Sequence, residues 1–180
     1  SAIALGMGLG SEFSNEELLL LLDNELPLLL DADSFSHPLF LSLLKREQLV
    51  LTPHPKEFTT ILKACKIADI TVKELQNSRF YYVGLFCKHY PSATLLLKGA
   101  NVIIGQHESF YINPHGTNIL AKGGSGDVLA GLVAALMAQG YSMIHSAIQG
   151  SLAHTAAAMQ FEKNSYSLTP NDLIGAITTL

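Results

Sequence analysis

The sequence predicts an α/β protein whose strands form one layered, mostly parallel sheet, and three observations lead to this prediction. Short apolar runs at 27–30 and 48–52 each end in polar groups or prolines, which is typical of strands buried on both faces. Helical patterns separate these runs along the first two thirds of the chain. Residues 102–104 and 109–112 follow the strand at 93–97 across short polar breaks, which predicts antiparallel hairpins.

The elements of the first half follow from local signals. A glycine-rich turn follows the first strand, and glycine permits backbone angles that are closed to other residues. Capping boxes at Ser14 and Thr71 each begin a helix, the second of which is long and amphipathic and extends to about His89. The predicted elements are strands at 3–5, 27–30, 48–52 and 93–97, and helices at 14–22, 39–44 and 71–89.

The last third of the chain has a different character. A loop rich in glycine, asparagine and lysine leads into three predicted helices at 127–139, 142–159 and 170–180. Thr169 is the expected cap of the last helix, with Pro170 at its first position. In a sheet of this class, ligands bind at the carboxyl ends of the strands, so the site is expected there.

Composition narrows the class of protein. Of the 180 residues, 48% are hydrophobic and 14% are charged, with a net charge of -4. These values predict one soluble domain over residues 1–180, without the basic surplus that nucleic acid binding uses. Charged residues and a proline interrupt the most apolar stretch, 18–30, so no membrane span is expected. Cys65 and Cys87 lack metal-site spacing, which predicts no metal held by cysteine and reduced thiols in the cytoplasm.

The sharpest chemical feature is the segment Gly123-Gly124-Ser125-Gly126-Asp127. Glycines before a long apolar helix expose backbone N–H groups at its positive end, which makes an anion site for phosphate. The segment has neither the spacing of a Walker A loop nor the GxGxxG pattern. A carboxylate repels phosphate there unless it has a role, so Asp127 is predicted to take a hydroxyl proton during phosphoryl transfer. The alternative is a first-turn acid favoured by the helix dipole.

Three further polar segments follow predicted strands. In the rigid Pro-His-Pro turn, His54 and Glu57 are expected to contact a ligand; the alternative is a loop histidine and a first-turn helix residue. Asp31 and Asp33 are expected to orient substrate hydroxyls or to hold Mg²⁺ through water, or else to form a cap and a turn. Lys98 is expected to meet a phosphate, unless its segment is a plain hairpin turn.

Taken in order, these motifs resemble the ADP-dependent NAD(P)H-hydrate dehydratase family of the ribokinase-like superfamily. They are Gly-Met-Gly-Leu-Gly, Leu-Asp-Ala-Asp, Leu-Thr-Pro-His-Pro-Lys-Glu, Leu-Lys-Gly-Ala and Ala-Lys-Gly-Gly-Ser-Gly-Asp-Val-Leu-Ala-Gly, which together span residues 6 to about 173. The resemblance implies a ribokinase-like three-layer sandwich. It also implies metabolite repair, in which (S)-NADH hydrate and (S)-NADPH hydrate are dehydrated at the expense of ADP or ATP with Mg²⁺, beside an NAD(P)H-hydrate epimerase domain or protein.

The resemblance further implies roles for individual residues. Asp127 would be the catalytic base, with the backbone of Gly124, Ser125 and Gly126 stabilising charge. The resemblance assigns the glycine turn near Gly10, His54 and Asp127 to the hydrated nicotinamide nucleotide; from their positions, we expect Gly8, Asp31, Asp33 and Glu57 in the same site. It assigns Lys98, Gly99, Ala100, Asn101, Val102 and Gly126 to the adenine nucleotide; from their positions, we expect Lys122 and Gly123 there too.

Two rival functions fit the same residues. A ribokinase-like kinase of a vitamin precursor would use the same base and anion site but would release a stable phosphorylated product. A non-catalytic nucleotide-binding or assembly module would bind nucleotide without turnover. The apolar helix around 128–137 also predicts a homo-oligomer. Because the family's domain begins well before the Gly-Met-Gly-Leu-Gly turn, we expect this chain to lack its N-terminal part.

Overall fold

A six-stranded sheet forms the centre of the computed structural model, which describes residues 1–10 and 14–180. Strands β1 to β4 run parallel, whereas β5 and β6 are antiparallel to their neighbours, with the order β1-β2-β3-β4-β5-β6. The strands are β1 (Ile3–Leu5), β2 (Leu28–Leu30), β3 (Leu49–Leu51), β4 (Thr94–Leu97), β5 (Val102–Gln106) and β6 (Ser109–Asn113). The predicted mostly parallel sheet with a late hairpin is therefore confirmed.

Helices connect and cover these strands. They are α1 (Asn15–Leu22), α2 (Phe40–Leu43), α3 (Pro55–Ala64), α4 (Val72–Asn77), α5 (Arg79–His89), α6 (Ser125–Ala138), α7 (Met143–Met159) and α8 (Pro170–Ile177). Ser14 caps α1 and Thr169 caps α8, both through capping boxes, as the sequence predicts. Within the described ranges, every helix is too short or too polar to cross a bilayer.

Alternation of side chains along the strands divides the core into two layers. Leu28 and Leu30 of β2 pack with α1 to α5 on one face, around Phe58 and Phe86. Leu29 points to the opposite face and packs with α6 and α7. Because both faces are covered by helices, the central strands are uniformly apolar, which produces the continuous runs seen in the sequence.

Two helical regions differ from expectation. The helix predicted over 71–89 is two helices, because Ser78 leaves the helical region at φ -146° and ψ 43° and α5 begins after it. Serine and asparagine have lower helix propensity than most residues, which favours a break at Asn77 and Ser78. Helix α3 fills the segment after the Pro-His-Pro turn, with Pro55 at its first position.

Candidate active site

The carboxyl ends of the four parallel strands lie at one edge of the sheet, and the amino end of α6 packs over that edge. Asp31 follows β2 and Lys98 follows β4. A methyl group built on Gly126 of α6 would lie 3.4 Å from Lys98 Nζ and 4.0 Å from Asp31 Oδ2. The fold thus brings the glycine-led helix together with two of the polar strand ends, as the sequence predicts.

Asp31 and Lys98 form an ion pair at this edge. Lys98 Nζ donates to Asp31 Oδ1 over 2.9 Å, and the Asp31 side chain is only 2% exposed. The pair crosses the end of β3, which lies between β2 and β4 in the sheet. A buried carboxylate needs such a partner, so this geometry gives Asp31 the role of holding Lys98 in place.

The glycine-rich turn after β1 is tied to the same edge through Asp33. The amide of Gly10 donates to Asp33 Oδ2 over 3.0 Å. Both residues line a cavity of about 470 Å³ together with Ser14, Asn15, Ser36, His37 and Pro38. Gly8 is exposed in the turn, outside the lining of this cavity. The structure therefore brings Gly10 and Asp33 together, and their contact with substrate stays a prediction.

His54 and Glu57 form a capping box at the start of α3. The Glu57 amide donates to His54 Nδ1 over 3.1 Å, and the His54 amide donates to Glu57 Oε2 over 2.7 Å. His54 Nε2 also lies 3.2 Å from Glu57 Oε1. These contacts fix the imidazole plane, yet about half of the side chain stays exposed and His54 lines the larger cavity. The alternative placement of Glu57 in the first turn of a helix is correct, and it leaves His54 free to contact a ligand.

The start of α6 has the geometry of an anion site. Gly124 is the N-terminal cap in the left-handed region, at φ 81°, where its Cα lies against Pro170. Among the described residues, the amides of Gly126 and Asp127 find no acceptor. The Ser125 amide donates to the Lys122 carbonyl over 3.3 Å, which differs from the predicted set of free amides because the glycine turn closes on itself at this point.

Asp127 is an exposed residue in the first turn of α6. Its carboxylate has no hydrogen-bond or ion-pair partner within residues 1–10 and 14–180. Four first-turn acids of other helices differ from it, because Glu17, Glu57, Glu74 and Asp172 each complete a capping box. An acid that forms no cap on a helix with a glycine N-cap is available for chemistry.

A larger cavity, of about 630 Å³, opens between the β4–β5 loop, residues 116–122 and helices α6 and α7. Six of the eight predicted nucleotide contacts line it, namely Lys98, Gly99, Ala100, Val102, Lys122 and Gly126. Asn101 and Gly123 lie outside its lining. Lys122 is held at its mouth, where Nζ donates to the Tyr166 carbonyl over 3.0 Å and lies 5.1 Å from the centre of the Tyr166 ring. This volume suits a ligand of nucleotide size.

His154 of α7 lines the same cavity and was not among the predicted site residues. Its Nε2 lies 3.4 Å from Ser125 Oγ. Burial lowers the pKa of His154 to about 4, a hydrogen bond to the Ser125 backbone opposes the shift, and the positive charge of Lys98 adds to it. The imidazole is therefore neutral at neutral pH. Pairwise metal-ligand spacing could not identify it; the available signal was the polar group of Ser151, His154 and Thr155 in the second half of α7, where the other residues are apolar.

This chain is similar in sequence and in structure to proteins that are named NAD(P)H-hydrate repair enzymes or dehydratases. A bifunctional NAD(P)H-hydrate repair enzyme, Nnr, from Helicobacter pylori is 44% identical over 180 residues, which cover 100% of this chain and 37% of that protein. The structure of an ADP/ATP-dependent NAD(P)H-hydrate dehydratase from Bacillus subtilis, co-crystallised with ATP and Mg²⁺, matches with a TM-score of 0.82 at 28% identity. That match covers 99% of this chain and 62% of the Bacillus chain.

The fold is shared more widely. A ribokinase-like superfamily protein from Enterococcus faecalis matches with a TM-score of 0.81 at 22% identity, covering 99% of this chain and 61% of that one. This match confirms the predicted ribokinase-like three-layer fold. The model of the family described as NAD(P)H-hydrate dehydratase matches residues 1–179. Because that match includes all but the last residue, the chain belongs to the NAD(P)H-hydrate dehydratase family.

Proposed function

We propose that this chain forms one ribokinase-like catalytic domain that dehydrates (S)-NADH hydrate and (S)-NADPH hydrate with ADP or ATP as co-substrate. Family membership supports the reaction. The observation that carries the proposal is the start of α6, where the unpartnered carboxylate of Asp127 adjoins the free amide of Gly126, next to Lys98. One helix turn thus offers a base and donors for a transferring phosphoryl group.

In the proposed reaction Asp127 accepts the proton of the ring hydroxyl as that oxygen attacks the terminal phosphoryl group of the nucleotide. A new P–O bond forms to the ring oxygen, and the old P–O bond breaks, releasing AMP from ADP. The C–O bond of the ring ester then breaks, and phosphate leaves with the bonding electrons. The neighbouring ring carbon loses a proton to water, which restores the double bond. The amides of Gly126 and Asp127 stabilise the charge on the phosphoryl oxygens.

Divalent metal would enter with the nucleotide. In residues 1–10 and 14–180, no three His, Cys, Asp or Glu side chains converge on one point. Mg²⁺ commonly binds through substrate phosphates and water with few protein ligands, so a cluster of this kind is not required for the proposed reaction. When bound, the ion would neutralise charge on the phosphates.

Three further assignments belong to this proposal. An NAD(P)H-hydrate epimerase, as a domain or a separate protein, would supply the S epimer. Cys65 and Cys87 are free thiols, which supports a cytoplasmic location. Exposed apolar side chains on the last two helices, Leu152, Met159 and Ile174, support a homo-oligomer, which sedimentation analysis would detect.

The test incubates the chain with hydrated NADH, ADP and Mg²⁺ and follows the return of the absorbance band of reduced nicotinamide. Asp127→Asn should lower the rate on the order of 10²–10⁴-fold, because the general base is removed. The matched control is Asp172→Asn, which alters a first-turn acid of α8 that acts only as a cap. The control should weaken stability and leave the rate unchanged.

The outcomes separate the alternatives. A phosphorylated hydrate that accumulates without regaining the nicotinamide band would point to a kinase. Binding of ADP without any turnover would point to a nucleotide-binding module. Normal turnover of Asp127→Asn with reduced stability would leave Asp127 as a first-turn acid of α6.

A further inference from the structure

The guanidinium of Arg79 lies behind the loop of residues 98–101, which joins β4 to β5. Nη1 donates to the Asn101 carbonyl over 2.8 Å. Nη2 lies 3.3 Å from the carbonyl oxygens of both Leu97 and Lys98 and donates to them. One side chain from the first turn of α5 therefore holds both ends of this loop.

The loop is confined from two sides. A methyl group on Gly99 would lie 2.9 Å from Arg79 Nη2, so the backbone is pressed against the guanidinium. On the other side Gly116 packs so closely that a methyl group there would overlap the carbonyl of Ala100. Lys98, Gly99 and Ala100 meanwhile line the larger cavity. The conformation of this part of the cavity wall thus depends on its contacts with Arg79 and Gly116.

Arg79 is suited to this task by its shape. Within the described ranges it forms no ion pair, and burial lowers the pKa of its guanidinium. Carbonyl oxygens of the loop are its hydrogen-bond acceptors. A planar fork can reach carbonyls at both ends of a four-residue loop at once, whereas the ammonium of lysine is a single point.

We propose that Arg79 is a positioning residue of the nucleotide site, which fixes residues 98–101 in the conformation that binds ADP. The inference rests on the proposed function, because it takes this loop as a nucleotide contact. Arg79 acts through the loop backbone. Without Arg79, binding of ADP must order the loop, and the lost conformational entropy lowers the affinity for ADP.

The experiment titrates the 180-residue chain with ADP in the presence of Mg²⁺ by calorimetry. Arg79→Met should raise the Kd for ADP roughly tenfold or more, since re-ordering even one backbone residue costs about that factor. The Kd of Arg79→Lys should lie between those of the unmodified chain and Arg79→Met, because lysine keeps the positive charge but lacks the planar fork of the guanidinium. The matched control is Arg46→Met: the Arg46 guanidinium donates to the carbonyls of Leu22 and Leu26, over 2.9 and 2.7 Å, at the opposite edge of the sheet.

If Arg79 has a purely structural role, its variants should lose stability, as Arg46→Met does, and should bind ADP with the Kd of the unmodified chain. Our inference predicts that only the Arg79 variants lose ADP affinity, and thermal melts confirm that each variant is folded. If Arg79→Met does not fold, the Kd of Arg79→Lys for ADP is compared with those of the unmodified chain and Arg46→Met instead. Unchanged ADP affinity in a folded Arg79 variant overturns the inference and leaves the proposed function standing. Absence of ADP binding by the unmodified chain overturns both.

Discussion

The buried imidazole of His154 should make the fold sensitive to acid. Its pKa is lowered to about 4 in the folded chain, chiefly by burial, from 6.5 as the ordinary value. The unfolded chain therefore binds the extra proton first as pH falls, and stability is lost from pH 6.5 down to about 4. A shift of this size is worth about 3 kcal/mol in full, and about 2 kcal/mol of it should be lost between pH 7 and pH 5.

The assay is urea unfolding of the chain and of His154→Gln at a series of pH values between 7 and 5. Other titrating groups are common to both proteins, so the difference between their unfolding free energies isolates His154. The wild-type advantage over the variant should shrink by about 2 kcal/mol across this range. His89→Gln, which alters an exposed imidazole on α5, serves as the control and should follow the wild-type curve.

A constant difference between the chain and His154→Gln would refute this reasoning. It would mean that the imidazole is protonated to the same extent in the folded and unfolded chains, and so that water or a carboxylate reaches it. The Ser125 contact would then need another explanation, because a neutral ring is what allows Nε2 to lie so deep beside that hydroxyl.

Other perturbations should act through single contacts. Asp31→Asn should lower the unfolding free energy by about 3 kcal/mol in urea titrations, because Lys98 loses its buried partner; a loss below 1 kcal/mol would show that water screens the pair. Gly124→Ala should cost about 1–3 kcal/mol and shift α8, because the added methyl meets Pro170 at 2.6 Å and the backbone lies at positive φ; an unchanged melting temperature would contradict this. Phe86→Ala should cost about 3–5 kcal/mol in the same unfolding assay, since the ring is fully buried between helix and sheet, and a smaller loss would indicate that the core collapses into the space.

Strong local signals predict most of the fold. The apolar run at residues 28–30 is a strand because both of its faces are covered, and no helix signal competes with it. The prediction of a single helix over 71–89 is wrong. The spacing of apolar residues continues in phase across Ser78, so the sequence pattern does not reveal that two helices meet there. Periodicity reports which side chains face the core, and it cannot report a break that keeps the same face buried.

The site was less predictable where one residue acts through another. Position after a strand identifies Asp31 and Lys98, but only the structure shows that they bind each other across β3. His154 and Arg79 lie on helices far along the chain from the motifs, and each reaches the site by tertiary packing. Spacing rules find residues on one element; they miss those that a fold brings from another.

The segment after β4 had two competing interpretations, a hairpin turn and a nucleotide contact, and the topology makes them compatible. The sheet changes from parallel to antiparallel at this point, because β4 pairs with β3 in one sense and with β5 in the other. A tight reversal is therefore required at the same edge where parallel strands present their carboxyl ends to a ligand. Residues 98–101 satisfy both demands with opposite sides: the carbonyls of Lys98 and Asn101 face Arg79 behind the loop, and the front lines the cavity. Arg79 therefore holds the back of the reversal that the hairpin requires, while the front of the same turn lines the cavity.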